Sequence, residues 1–134
     1  MSSITDFGVE RSSETYFIVS EDFGDLNLFD FLRLDYDIAA VKRVLYCLLK
    51  AVQTAHENGV FHRDIKLSNL IINDSNQVRL VDWGHAEFYT PGKQYSVSVS
   101  TRPYKPPELL VEFEKYDLSL DVWEIANVLA CLVW

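Results

Sequence analysis

His62-Arg63-Asp64-Ile65-Lys66-Leu67-Ser68-Asn69 and, a little further on, Asp82-Trp83-Gly84 form the densest group of chemistry-bearing residues in the chain. Between them, Leu70-Ile71-Ile72 and Val78-Arg79-Leu80-Val81 are apolar runs separated by Asn73-Asp74-Ser75-Asn76-Gln77, which is the pattern of a β-hairpin. Both loops therefore sit at the ends of short strands, where side chains can converge on one point. Phosphoryl transfer needs such a set: a carboxylate to orient the attacking hydroxyl and take its proton, oxygen ligands for Mg²⁺, and a cation beside the migrating group. Asp64, Lys66, Asn69 and Asp82 supply all three.

Outward from this centre, apolar residues at Ile38, Val41, Leu45, Leu48, Val52 and Ala55 trace one face of a long helix. Asp37 is placed to cap its start and Asn58-Gly59 to stop it. Upstream, Tyr16-Phe17-Ile18-Val19 reads as a strand ending at Ser20-Glu21-Asp22-Phe23-Gly24-Asp25, and Leu26 to Leu34 as a short helix. Residues 1–14 are polar and read as a frayed end. Downstream, residues 84–107 carry four prolines with much Ser, Thr and Tyr and read as an extended segment of the kind that carries function. Leu118 to Trp134 is apolar nearly all round and reads as a buried helix, ending in mid-pattern without a stop signal. The expected class is α+β, mainly α.

The 134 residues, 49% hydrophobic and 24% charged, suffice for one globular core and exclude a disordered tail. A net charge of −8 argues against general binding to nucleic acid or anionic membrane, and no signal peptide or bilayer-spanning run is visible. Cys47 and Cys131 form no C-x-x-C pair, and His56 and His85 show no metal-ligand spacing, so a reducing, intracellular setting (cytoplasmic, nuclear or both) is expected. The Asn73-Asp74-Ser75 sequon reads as a polar turn.

The motifs resemble those of the protein kinase family. His62 to Asn69 matches H-R-D-x-K-x-x-N, Asp82-Trp83-Gly84 matches the metal-binding D-[FW]-G, Pro106-Pro107-Glu108 sits where kinases have A-P-E, and Asp121-Val122-Trp123 resembles the start of their central buried helix. Lysine two residues after the loop aspartate is the serine/threonine variant. Within the family, Asp82 to Gly92, Tyr36-Asp37-Ile38, Arg102, Lys105, Pro107 to Leu110 and Tyr116-Asp117 resemble the casein kinase II catalytic subunit. The resemblance covers residues 15–134 and implies a kinase-like fold comprising the hinge and the first part of the large lobe.

It also implies roles. Asp64 would position the substrate hydroxyl and Lys66 stabilise the transferred phosphate, with Asn69 and Asp82 as Mg²⁺ ligands and ATP as phosphate donor. Glu21 and Phe23 resemble the nucleotide-binding hinge, and Ile71 and Val81 the apolar floor beneath the base. His62 reads as a packed structural histidine, since the neighbouring aspartate already fills the chemical role. Arg102 and Lys105, in a stretch from Pro91 to Pro107 with three cations and no acid, would favour acidic residues around a target serine or threonine. Ser98 stands where that family usually has arginine, Ala126 where glycine is usual, and His85 where an apolar residue is usual.

The sequence contains no G-x-G-x-x-G, and its first lysine is Lys42, inside the long helix. The expectation is thus a partial kinase domain of casein kinase II type, inactive alone, that would meet a regulatory subunit in a full-length protein. The alternative is a truncated pseudokinase acting as a non-catalytic binding or decoy module. A small-molecule kinase is disfavoured by Lys66 and Pro106-Pro107-Glu108.

Overall fold

A computed structural model of the chain describes residues 4–24, 26–28, 37–73 and 77–134. Strands β1 (Ile4–Glu10) and β2 (Thr15–Ser20) form an antiparallel hairpin, β3 (Leu26–Asn27), β5 (Leu70–Ile72) and β6 (Val78–Leu80) a three-stranded sheet in the order β3-β5-β6, and β4 (Val60–Phe61) pairs with β7 (Glu87–Phe88). The helices are α1 (Ile38–Glu57), the single turn α2 (Pro107–Leu110) and α3 (Ser119–Val133).

Helix α1 forms where the apolar period predicts it. The Asp37 carboxylate accepts the Ala40 N–H at 2.7 Å, satisfying one of the donors that a helix start leaves open. At the other end Asn58 closes the last turn and Gly59 takes a φ of +70°, the left-handed geometry that glycine adopts without cost. Val41, Val44, Leu48 and Val52 are buried; Ile38, at the edge of the predicted stripe, is exposed. The β5–β6 hairpin also matches its pattern, with Leu70 opposite Leu80 and Ile72 opposite Val78. Alternation sends Leu70, Ile72 and Leu80 into a core shared with α1 and the Ile125, Val128 and Leu132 side of α3.

A second, aromatic cluster forms apart from this core. Phe61 is fully buried and meets Tyr95 edge-on with ring centres 5.1 Å apart, and Tyr116, Leu109 and Leu120 close around them. This cluster anchors the segment after β7, which is otherwise irregular, as the sequence suggests.

Three expectations change. Residues 4–10 are not frayed: they pair with β2 through six matched positions from Ile4–Ser20 to Glu10–Thr15. Gly8 permits this face, because a Cβ there would lie 2.7 Å from the Phe17 ring. The predicted helix from Leu26 begins instead as strand β3, paired with β5 through Leu26–Ile72 and Asn27–Ile71, and residues 29–36 lie outside the described residues, as do 74–76 of the sequon turn. Helix α3 is not buried all round. Leu120, Asp121, Glu124, Ile125, Val128 and Leu132 face inward, whereas Val122, Trp123 at 46% and Trp134 are exposed. Among the described residues no helix is long and apolar enough to cross a membrane.

Candidate active site

The catalytic loop, residues 62–69, runs between β4 and β5 and is held from below by α3. Asp121 is fully buried, accepts the backbone N–H of His62 at 2.9 Å and of Arg63 at 2.8 Å, and pairs with His56 Nε2 at 2.8 Å. Glu124, one turn later on the same face, accepts the Ile65 N–H at 2.7 Å. Two carboxylates three residues apart thus fix three backbone amides of the loop, those of His62, Arg63 and Ile65. His56, bland in sequence, is part of that support.

The loop's own side chains then converge. Lys66 Nζ donates to Asp64 Oδ2 at 2.7 Å and to Thr101 Oγ1 at 3.0 Å, Thr101 Oγ1 donates to Asp64 Oδ1 at 2.7 Å, and Asn69 Nδ2 donates to the Asp64 carbonyl at 2.9 Å. Asp64 is 4% exposed. Burial alone would raise its pKa, but hydrogen bonds from Lys66 and Thr101, with the lysine's charge, outweigh that and hold the carboxyl below its ordinary value. It is therefore an anion at neutral pH.

Asp82 reaches this group through strand register. Leu70 faces Leu80, so Asn69 faces Val81, whose N–H donates to the Asn69 carbonyl at 2.9 Å, and Asp82 follows directly. Asp82 takes a φ of +60°, which turns the chain out of the sheet, and its exposed carboxylate accepts no hydrogen bond among the described residues. A Cβ at Gly84 would come within 3.3 Å of Asp82 Oδ1, so glycine keeps that oxygen clear. Of the five non-glycine residues with positive φ among those described, three border this site: Arg63 beside Asp64, Asp82 itself, and Ser100 beside Thr101. Backbone strain of that kind costs about 1–3 kcal/mol per residue and persists where surrounding contacts enforce it.

The donor set suits Mg²⁺. The Asn69 amide nitrogen is directed at Asp64, which leaves its oxygen as the remaining acceptor, and the Asp82 carboxylate is open; both are hard oxygen donors. Among the described residues no three His, Cys, Asp or Glu side chains are grouped to hold a metal by themselves. An ion here would complete its shell with phosphate and water, as Mg²⁺ characteristically does.

His62 is fully buried, edge-on to Trp83 at 4.7 Å. Its Nδ1 accepts the Asp64 N–H at 3.3 Å, so Nε2 carries the proton and donates to the Val81 carbonyl at 3.1 Å. Desolvation keeps its pKa below the usual value, which fits a packed neutral ring.

Of the residues expected around a nucleotide base, Glu21 and Phe23 meet through a partner that the sequence reading did not single out. Arg79, opposite Ile71 in the hairpin, lays its guanidinium 3.8 Å from the Phe23 ring centre and pairs with Glu21 at 3.3 Å. Ile71 and Val81 are half-buried.

The expected cationic stretch is largely neutralised internally. Lys105 donates to the Val97 carbonyl at 3.0 Å and the Val99 carbonyl at 2.6 Å, and so acts as a staple across its own segment. Lys93 pairs with Glu87, which also holds Arg63 at 3.0 Å. Arg102 alone of the three is exposed with no ion pair among the described residues. Thr101 and Glu124, and the supporting role of Asp121, are what sequence reasoning missed; each bonds the loop across 35 to 59 residues of chain, a separation no local pattern encodes. Compared with known families, the chain matches the model described as protein kinase domain over residues 3–134.

Proposed function

The chain belongs to the protein kinase family, and on that premise we propose that it is a serine/threonine kinase of casein kinase II type, passing the γ-phosphate of ATP to hydroxyls in acidic surroundings. The observation that carries the reading is the hydrogen-bonded set of Asp64, Lys66, Asn69 and Thr101, with Asp82 one residue beyond a backbone bond to Asn69.

In this reading the Asp64 carboxylate, ionised and rigidly held, orients the incoming hydroxyl and receives its proton at an oxygen lone pair. Lys66 lies between Asp64 and Thr101, where its ammonium can meet the charge of the transferred group. Asn69 and Asp82 would hold Mg²⁺, which when bound neutralises phosphate charge. Glu21, Phe23, Ile71 and Val81 would receive the base. The lysine at position 66 supports the serine/threonine preference. The acid preference rests chiefly on Arg102, since the other two cations of its segment are engaged.

The native gene product, given Mg²⁺ and ATP, is expected to label a peptide whose serine is flanked by acidic residues and to leave a tyrosine peptide unlabelled. Arg102→Ala is expected to raise KM for the acidic peptide by up to about fivefold, the worth of one exposed ion pair, with kcat kept. Labelling of tyrosine, or indifference to flanking acids, contradicts the reading.

A further inference from the structure

Two buried polar atoms have no hydrogen-bond partner among the described residues, Glu124 Oε1 and Ser100 Oγ. They belong to one place. Glu124 is fully buried on α3, directly beneath the catalytic loop, and spends Oε2 on the Ile65 N–H at 2.7 Å. Ser100 lies close enough that its hydroxyl favours the ionised form of the Glu124 carboxyl, although the pair stops short of hydrogen-bond geometry. A carboxylate left with one bare buried oxygen is costly, and so is an unmatched hydroxyl.

No cation among the described residues acts on Glu124 to compensate. The titratable groups acting on Glu124 are Asp121 from its own helix and Asp64 from the loop above, both acids, and both oppose its ionisation. Lys66 is turned to Asp64 and Thr101, and His56 to Asp121. Burial is the largest influence, and the carboxyl pKa is pushed up to about 8. A single proton on Oε1 removes both deficits, because a carboxylic acid donates through one oxygen while accepting through the other.

We propose that Glu124 is a positioning residue that works as an undissociated acid, its Oε2 accepting the Ile65 amide and its Oε1–H donating to Ser100 Oγ, so that one side chain ties the catalytic loop to the segment carrying Thr101. Ser100 has a φ of +65°, a conformation that needs outside support, and its neighbour Thr101 is the residue that bonds Asp64 Oδ1 at 2.7 Å. Glu124 thus acts on both ends of the Asp64 setting, through Ile65 on the loop side and through Ser100 on the facing side. The proposal rests on Asp64 as the reacting carboxylate, but its test requires no turnover.

The sign of the pH effect follows. The folded chain keeps a proton that the unfolded chain releases above pH 4.5, the ordinary value, so Glu124 lowers stability progressively as pH rises from there to about 8. Carbon-13 and amide NMR of the full chain between pH 5 and 9 tests this. One glutamate carboxyl is expected to titrate with a midpoint near 8, and the amide signals of Ile65, Ser100 and Thr101 to move with the same midpoint.

Glu124→Gln, which retains one acceptor and one donor, is expected to abolish that titration, to hold the Ile65 and Thr101 signals at their low-pH positions, and to flatten the fall of Tm above pH 5. Ser100→Ala is expected to uncouple Thr101 from the titration while Ile65 still follows it. If every glutamate titrates near the ordinary value, or if Thr101 ignores the Glu124 midpoint, the proposal is overturned. Failure of peptide labelling with this coupling intact would instead overturn the kinase reading alone.

Discussion

Asp121→Ala is expected to remove about 3–5 kcal/mol of stability, the range seen when one member of a buried charged, hydrogen-bonded set is deleted. Three partners lose their acceptor at once: the His62 and Arg63 amides and the His56 ring. Both amides are buried, and an unsatisfied buried donor costs about 1–3 kcal/mol by itself. Arg63 adds to this, because its φ of +68° is a strained conformation that the Asp121 bond helps to enforce. Against a typical net stability of about 5–15 kcal/mol the loss is large. Chemical denaturation with hydrogen exchange at His62 and Arg63 measures it: exchange at those two amides should rise more than at Leu48 or Val52 in α1. A loss under about 1 kcal/mol would mean that the loop is held by something other than α3.

Asp64→Asn is expected to lower kcat of the native gene product by about 10²- to 10⁴-fold, the usual worth of a positioned acid–base group, with KM for ATP little changed. The substitution keeps the shape but removes the charge that Lys66 neutralises at 2.7 Å and the proton acceptor that the reading requires. Because hydrogen bonds and the Lys66 charge keep the Asp64 pKa below its usual value, the carboxylate is already ionised at pH 5. The activity profile of the unaltered protein should therefore show no inflection from Asp64 between pH 5 and 9. The same depression stabilises the fold above the unfolded pKa and is lost as pH falls through the folded one. An Asp64→Asn protein with full kcat would remove Asp64 from the chemistry.

The legible parts of the fold were those written in local pattern. Helix α1 declares itself through its apolar period, the Asp37 cap and the Gly59 stop, and the β5–β6 hairpin through apolar runs about a polar turn. Strand β1 was missed because Ile4, Phe7 and Val9 do not alternate strictly and the connection Arg11 to Glu14 lacks the Asn-Gly or Asp-Gly of a tight turn. Strand β3 exists only because β5 lies beside it, so two residues of sequence could not announce it. Helix α3 looked buried all round because composition counts apolar residues and does not say which face has a neighbour; Val122 and Trp123 face away from the core that Ile125 and Val128 enter.

The site divides in the same way. Asp64, Lys66 and Asn69 are close in sequence, and their spacing alone brings them together on one loop, while Asp82 is delivered by a hairpin that the pattern also encodes. Thr101, Asp121 and Glu124 come from elements that meet the loop only after the chain has folded. Lys105 shows the converse error: a cation assigned to substrate by its surroundings in sequence spends its donors on the Val97 and Val99 carbonyls. Charge read along a chain does not reveal which charges are already satisfied.

The central claim is that Asn69 and Asp82 face one metal ion beside Asp64 and Lys66. Mn²⁺ added with ATP to the isotopically labelled native gene product tests it directly, because the paramagnetic ion erases NMR signals by distance. The account predicts that the Asn69 side-chain amide and the backbone signals of Asp82, Trp83 and Gly84 vanish first, while those of Cys131 on α3 persist. Broadening centred elsewhere, with the Asn69 and Asp82 signals intact at saturating nucleotide, would contradict it.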